Sequence, residues 1–368
     1  MDHYDFGLCA GLARTGLGVV LYTCDETVVP RDLSFVCRRP YRYIYGSSPA
    51  WKRGLRYLFG TLKTITSATR LGCTIFHFHL FNVGSLEFFN LLLARLLLRR
   101  VVITAHDVEP FVVSLSTPTI SRWAYQLAHC VIAHNQISRN ELVERLGVED
   151  AKIEVVPHGN YLHVLCPLPS QNIARKRLGV SSQAKVLLFF GQIKEVKGLD
   201  ILLRAMPKML AANPDVFLLI AGKPWKTDFD AYASMIRELA IEEHCLTHIR
   251  FIPDDEVPFF YAACDLVVLP YRRIYQSGVL LMAMSYGKAV LVSDIPGMKE
   301  VIEHGGNGFL FRSGEHGHLA DVAIDILTDG ELRHHAGQRA LALMRAQYDW
   351  YAVGQRTAES YLKALTLV

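Results

Sequence analysis

Along this chain, short runs rich in β-branched residues take turns with stretches of helical spacing. That alternation restricts the fold more than any other feature. After a helical opening in "YDFGLCAGLARTG" come the strand candidates "GVVLYT", "TIFHFHL", "VVITAHD", "CVIAHN" and "KIEVVPHG". Helical patterns such as "SLEFFNLLLARLLL" and "SRNELVERLG" separate them. Strands joined through helices run parallel and are covered on both faces. The pattern predicts an α/β architecture built on parallel sheets.

The alternation pauses after Pro157. The stretch "HGNYLHVLCPLPSQNIARKRLGVSSQ" holds no convincing strand and reads as a connection. The pattern then resumes with "KVLLFFG", the helix "GLDILLRAMPKML", and the strands "DVFLLIAG", "HIRFIP", "CDLVVLP" and "AVLVSD". A long helical stretch from "ELRHHAGQ" to the end closes the chain. The expected domains are therefore 1–165 and 166–348, with 349–368 a terminal helix, and 368 residues suit two domains. Ligands of open α/β sheets sit beyond the carboxyl ends of the strands. Functional residues are expected there.

Composition narrows the class. The chain is 51% hydrophobic and 20% charged, which allows a large core and excludes a disordered chain. A net charge of +4 does not by itself imply nucleic acid. The eight cysteines form no C-x-x-C pair and stand mostly in apolar surroundings, the pattern of buried free thiols in a reducing compartment. The start "MDHYDFG" lacks the basic-then-apolar layout of a secretory leader. The longest apolar segment, "FNLLLARLLL", is broken by Arg95 and falls short of the ~20 residues a membrane span needs. The expected location is cytoplasmic.

Four places carry suggestive chemistry. In "FFGQIKEVKGLD" a strand ends at Gly191, and Lys194 and Lys197 precede a helix starting near Gly198. Lysines before a helix N-terminus suit a phosphate, and an ordinary solvated loop accounts for them equally well. In "QSG", Ser277 and Gly278 open another helix; they suit an anion at its amides, or a plain N-cap. Histidines 77, 79, 106 and 158 stand in or after strands. None has metal-ligand spacing, so each reads as a substrate contact or a satisfied structural group. The fourth place is a charge anomaly. From Leu33 to Leu86 there is no Asp or Glu, while Arg38, Arg39, Arg42, Lys52, Arg53, Arg56, Lys63 and Arg70 alternate with aromatic residues. Such a mixture suits an anionic membrane interface, or a solvated basic face with half-buried rings. Single-stranded nucleic acid also tolerates it, but no recognition module accompanies it.

The ordered motifs of the second half resemble the GT-B glycosyltransferases, specifically the large retaining family four. They are "FFGQIKEVKGLDILLRA", "VFLLIAGKP", "IRFIPDDEVPFFYAACDLVVLPY" and "AMSYGKAVLVSDIPGMKEVIEHGGNGFLF". The first half agrees more loosely through "GLARTGLGVVLYT", "VVITAHD", "VIAHNQISRNELVERLGV" and "IEVVPHGNY". The resemblance implies two Rossmann-like domains facing across a cleft, the C-terminal one binding a nucleotide-sugar donor and the N-terminal one an acceptor. It also implies a last helix returning to the N-terminal domain. The implied donor set is Gly191, Gln192, Lys194, Lys197, Ile252, Ser277, Gly278, Val279 and Glu300. His106 and Lys197 are the implied catalytic residues. Arg38, Arg39, Arg42, Lys52, Arg53 and Arg56 are the expected acceptor or membrane contacts.

Three departures stand out. The family commonly carries two Glu flanking this loop and helix, and the corresponding positions are Ile274 and Met282. The basic residue expected after the first glycine is Gln192. The family's opening strand is missing, which implies a true start upstream of Met1. The expected function is hexosyl transfer from a nucleotide-diphosphate sugar, with retention, to a sugar or lipid-linked acceptor in polysaccharide or glycolipid assembly. The nucleotide sugar is a co-substrate, and no metal, other cofactor or nucleic acid is expected. A peripheral contact with anionic membrane is. The alternatives are a non-catalytic GT-B protein binding nucleotide or a partner subunit, and a sugar-nucleotide epimerase, for which no carboxylate pair stands out.

Overall fold

The computed structural model describes residues 2–81, 83–106, 118–225 and 228–366. Two compact units emerge, Met1–Gly159 with Tyr348–Val368, and Asn160–Gln347.

The first unit begins with α1 (Asp2–Arg14), β1 (Val20–Cys24), β2 (Val36–Tyr41), α2 (Ala50–Arg70), β3 (Ile75–Leu80) and α3 (Ser85–Leu96). It continues with β4 (Arg100–Ala105), α4 (Pro118–Gln126), β5 (Cys130–Ala133), α5 (Gln136–Leu146) and β6 (Ile153–Val155). Strands β3-β4-β5-β6 form a parallel sheet in that order, and β1 and β2 pair parallel in a separate ribbon. Residues 101–105 of β4 and all of β5 are buried, as continuous apolar runs require.

The second unit runs α6 (Gln171–Leu178), β7 (Lys185–Phe190), α7 (Leu199–Ala212), β8 (Val216–Ala221), α8 (Asp230–Glu238) and β9 (Cys245–His248). It goes on through α9 (Val257–Ala263), β10 (Leu266–Leu269), α10 (Gly278–Ser285), β11 (Val290–Ser293), α11 (Pro296–Lys299), β12 (Phe309–Phe311), α12 (His316–Thr328) and α13 (Gly330–Gln347). Its sheet has the order β12-β11-β10-β7-β8-β9, all parallel. A large cluster of buried apolar residues packs α7 and α12 on this sheet.

The last helix, α14 (Trp350–Thr366), belongs to the first unit. Tyr4, Leu8 and Leu12, one face of α1 at helical spacing, share a core with Val102, Ile132, Trp350 and Val353. The α1 and α14 backbones touch. A Cβ on Gly11 would stand 1.9 Å from the Trp350 carbonyl oxygen, and one on Gly354 would stand 2.4 Å from the Gly11 carbonyl carbon. Glycine is required at both places by that approach.

Several expectations change. "HIRFIP" is not a strand; β9 ends at His248, because Arg250 turns to pair with Glu256 and Phe251 points to solvent. The closing helical stretch is broken where the Asp349 carboxylate accepts from the Tyr351 amide and starts α14. The division at Gly159 precedes residue 165, since Asn160 Nδ2 donates to the Met344 carbonyl and the Tyr161 amide donates to Ser285 Oγ. Elements β2, α2 and β12 were not foreseen. The cysteines are all free, but only Cys9, Cys130 and Cys264 are buried; Cys24, Cys37, Cys73 and Cys245 are half-buried and Cys166 is exposed. Among the described residues, no helix is long and apolar enough to cross a membrane.

Candidate active site

The second sheet carries its own signpost. From β7 the chain steps outward to β8 and β9, then returns to β10 on the other side of β7. The loops leaving β7 and β10 therefore part, and such a switch point opens a crevice at the carboxyl ends of the two strands.

The loop after β7 crosses this crevice. Gly191 ends the strand, and a Cβ there would meet Val279 Cγ2 at 2.9 Å. Ile193 bridges Pro224, so the first half of the loop is tied to the end of β8. Lys194 Nζ accordingly stands over the Trp225 ring, 5.1 Å from its centroid. The second half turns the other way. A one-turn 3-10 helix, Glu195–Lys197, ends at Gly198, whose φ of 65° starts α7. Only glycine fits, because a Cβ would lie 1.9 Å from the Pro270 carbonyl oxygen at the end of β10. This contact carries Lys197 to the β10 side, where its Nζ sits 3.7 Å from the centroid of the Tyr271 ring. The two lysines therefore diverge, and Lys197 belongs to the crevice.

The loop after β10 supplies the other wall. Ser277 is buried and its Oγ accepts from the Leu280 amide at 3.2 Å, the N-cap of α10. The amides of Gly278 and Val279, first in the helix, have no intrahelical carbonyl to bond and add to the positive end of its dipole. The Tyr161 hydroxyl stands over Gly278, 2.6 Å from where a Cβ would be. Burial raises the pKa of that hydroxyl, so Tyr161 stays neutral. Sequence reasoning singled out Gly278 for ligand approach and missed Tyr161, whose only signal was its place after a strand in "HGNY". Ile274 and Met282, at the positions of the absent acids, are both half-buried. Helix α11 packs on the same loop, with a Cβ on Gly297 falling 2.5 Å from the Ile274 carbonyl oxygen. Glu300 closes α11 and is exposed.

Gly191, Lys197, Ser277, Gly278 and Val279 are thus brought together by direct contacts of their loops. Glu300 follows a helix packed on the same loop. Gln192 is exposed, and Ile252 lies buried past the end of β9. Near it an open recess of about 560 Å³ is lined by Lys223, Pro224, Phe229, Ile249, Arg250 and Phe251.

In the first unit, four neighbouring strands each carry a histidine at or just beyond the carboxyl end: His79 in β3, His106 after β4, His134 after β5 and His158 three residues after β6. His134 Nδ1 faces the Val156 carbonyl at 3.0 Å, and its Nε2 lies 3.2 Å from His106 Nδ1. His106 Nε2 lies 3.3 Å from His79 Nδ1. A carbonyl only accepts, so every Nδ1 in this chain donates and every Nε2 in between accepts. Both ring nitrogens of His106 are therefore engaged, and Phe81 stacks on its ring with centroids 4.4 Å apart. His77 is held separately, its ring nitrogens bonded to Thr104 and Tyr361 at 2.7 and 2.8 Å. Burial, followed by mutual repulsion, lowers the pKa of His79 and of His158 to about 3. Burial lowers that of His134 to about 4. His134 was overlooked in the sequence, although "VIAHN" repeats the strand-then-histidine layout of "ITAHD". Residues 107–117, the rest of that motif, lie outside the described residues. Among the described residues, no three His, Cys, Asp or Glu converge to hold a metal.

Two open parallel α/β units, one with an anion-seeking crevice at its switch point, define a two-Rossmann architecture. A profile described as Glycosyltransferase Family 4 matches residues 6–189, and one described as Glycosyl transferases group 1 matches residues 170–342. The chain belongs to glycosyltransferase family 4, with the GT-B fold. The D-inositol 3-phosphate glycosyltransferase of Thermobispora bispora is 29% identical over 249 residues, 66% of this chain and 58% of that protein. That of Nocardia farcinica is 30% identical over 240 residues, 64% and 52% of the respective chains. The aligned part spans only 52% to 58% of these curated relatives. Among solved structures, Anabaena HepE in complex with UDP superposes with a TM-score of 0.72 at 22% identity, covering 89% of this chain and 86% of HepE. Sucrose-phosphate synthase from Thermosynechococcus elongatus gives 0.75 at 18% identity, covering 98% and 92%.

Proposed function

We propose that this chain transfers a hexosyl group from a nucleotide-diphosphate sugar to an acceptor hydroxyl, with retention, in polysaccharide or glycolipid assembly. The second unit takes the donor and the first the acceptor, which on this reading is a sugar or a lipid-linked saccharide at the inner face of the membrane. The observation that carries the reading is that the loop after β7 meets the loop after β10 twice at the switch point, Gly191 against Val279 in the first turn of α10 and Gly198 against Pro270, with Lys197 over the Tyr271 ring. A diphosphate seated there gains a lysine charge and two unbonded helix amides without a metal. As the bond from the anomeric carbon to the diphosphate breaks, that charge stabilises the leaving oxygen. The same oxygen takes the proton of the acceptor hydroxyl as the new glycosidic bond forms on the same face. No protein nucleophile is required, which fits the apolar Ile274 and Met282. The UDP and UDP-glucose held by HepE make uridine nucleotides the first donors to test.

The test is calorimetric titration with UDP and UDP-glucose. Lys197→Ala should weaken binding by about 1.5–3 kcal/mol, the worth of a charge-assisted hydrogen bond, and Lys194→Ala by less. Unchanged affinity in Lys197→Ala would remove the phosphate clamp. The absent carboxylates favour one second reading, a nucleotide-binding GT-B protein without turnover. Mass spectrometry of donor and membrane lipid extract separates the two: a chain that binds UDP yet yields neither product nor free sugar is of the second kind.

A further inference from the structure

Helix α2 has three stripes where an ordinary surface helix has two. Its inner stripe is small: a Cβ on Gly60 would touch the Tyr41 ring at 2.6 Å, and Thr61 Oγ1 donates to Asn90 Oδ1 at 2.9 Å. Its second stripe is apolar and faces solvent. Trp51, Leu55, Phe59 and Leu62, at helical spacing, are 65%, 59%, 59% and 56% exposed. The third stripe, beside it, is basic: Lys52, Arg56, Lys63 and Arg70. Lys52 and Lys63 lie over the Trp51 and Phe59 rings, at 5.4 and 4.4 Å from the centroids, leaving their charges at the edge of the apolar stripe.

A groove runs along this edge. One recess, of about 530 Å³, has Phe59 and Leu62 on one side and Arg38, Lys63 and Ser67 on the other. An adjoining recess of about 350 Å³ shares those last three and adds Arg39 and Arg42. Tyr22 donates its hydroxyl proton to Ser67 Oγ at 2.9 Å, and Arg38 donates to the same oxygen, which holds the Arg38 guanidinium at the groove. Among the described residues no carboxylate pairs with Arg38, Arg39, Arg42 or Lys63, and the sequence from Leu33 to Leu86 contains none. An uncompensated cationic groove beside an exposed apolar stripe is complementary to a layer with phosphates outside and hydrocarbon beneath.

We infer that α2 and the β2 groove dock this unit on the surface of an anionic phospholipid bilayer. The lipid phosphates sit against Arg38, Arg39, Arg42 and Ser67, and Trp51, Leu55, Phe59 and Leu62 enter the interface. The inference rests on the proposed function only for its purpose, delivery of a membrane-held acceptor. A single-stranded nucleic acid would use the arginines and rings but gains nothing from Leu55 and Leu62, so the bilayer is the better match.

The experiment is co-sedimentation of the whole chain with vesicles of phosphatidylcholine, with and without about a third phosphatidylglycerol, at low and high salt. It needs no turnover, so its failure leaves the donor titration standing, and the reverse. Binding should require phosphatidylglycerol and weaken with salt. Arg39→Ala with Arg42→Ala should weaken it about thirtyfold, and Leu55→Ser with Leu62→Ser at least about tenfold, with folding checked by circular dichroism. All four side chains lie at the surface or its edge. Equal binding to neutral vesicles, or none to anionic ones, overturns the inference. So does an oligonucleotide that binds tightly and is insensitive to the leucine pair.

Discussion

Gly278 illustrates how one residue can be required for two reasons. Its amide opens α10, and its α-hydrogen faces the Tyr161 hydroxyl. Gly278→Ala would place a methyl group 2.6 Å from that oxygen. The next nearest atom, Tyr161 Cζ, would be at 3.5 Å, an ordinary contact. Gly278→Ala should therefore destabilise the second unit by about 1–3 kcal/mol, the usual cost of overpacking. Adding Tyr161→Phe, which removes the oxygen and keeps the ring, should recover most of that loss in urea unfolding. No recovery would mean that the strain lies elsewhere. Donor affinity of the double variant then reports on the amides alone. The N-cap role of Ser277 was legible in "QSG", because a cap is a local hydrogen bond. The Tyr161 contact was not, because the two residues meet only through the fold.

At the scale of elements, legibility followed the direction of the apolar face. Strands β4, β5, β7, β8, β10 and β11 are buried runs and were read directly. Helix α2 was not, because its inner stripe is Gly60, Thr61 and Ala68 while its large apolar residues point outward. Hydrophobic periodicity then marks the wrong face, and only the charge anomaly drew notice. The α1–α14 pair shows the opposite case, a helix contact written in glycines. Gly354→Val would drive a branched side chain into the Gly11 backbone, 2.4 Å from its carbonyl carbon, which cannot move without breaking α1. Its cost should reach or exceed about 3 kcal/mol and appear as a lower melting temperature of the first unit. Leu362→Val, on the same helix but exposed, should change stability by less than about 0.5 kcal/mol. If the two variants melt alike, the helices do not cross at Gly354 in solution.

At the scale of the whole molecule, the histidines are a property of topology. Singly, His77, His79, His106 and His158 looked like substrate contacts or buried structural groups, and His134 went unremarked. Only the strand order β3-β4-β5-β6 sets their carboxyl ends side by side, makes a hydrogen-bonded chain of His79, His106 and His134, and packs His158 beside His134. The chain has a consequence for pH. An unfolded histidine titrates near 6.5. In the folded unit His134 is lowered to about 4, and His79 and His158 to about 3, burial being the main cause, so the native state holds these rings neutral. Below about pH 6.5 the unfolded chain binds protons that the folded one does not, and stability falls as pH falls. Above that value both states are neutral and these groups give no pH dependence. His134 alone should remove on the order of 3 kcal/mol by pH 4. Asp5, 3.5 Å from His79 Nδ1, offsets part of the cost at His79 while it stays ionised. Denaturant unfolding across this range should show the first unit losing stability as the medium is acidified from about pH 7 to about pH 5. His134→Gln, which retains a donor for Val156 but cannot take up a proton, should flatten that slope. A wild-type chain with level stability over the same range would mean that these rings are charged or solvated in the folded protein, and the ordered Nδ1-to-Nε2 chain would have to be abandoned.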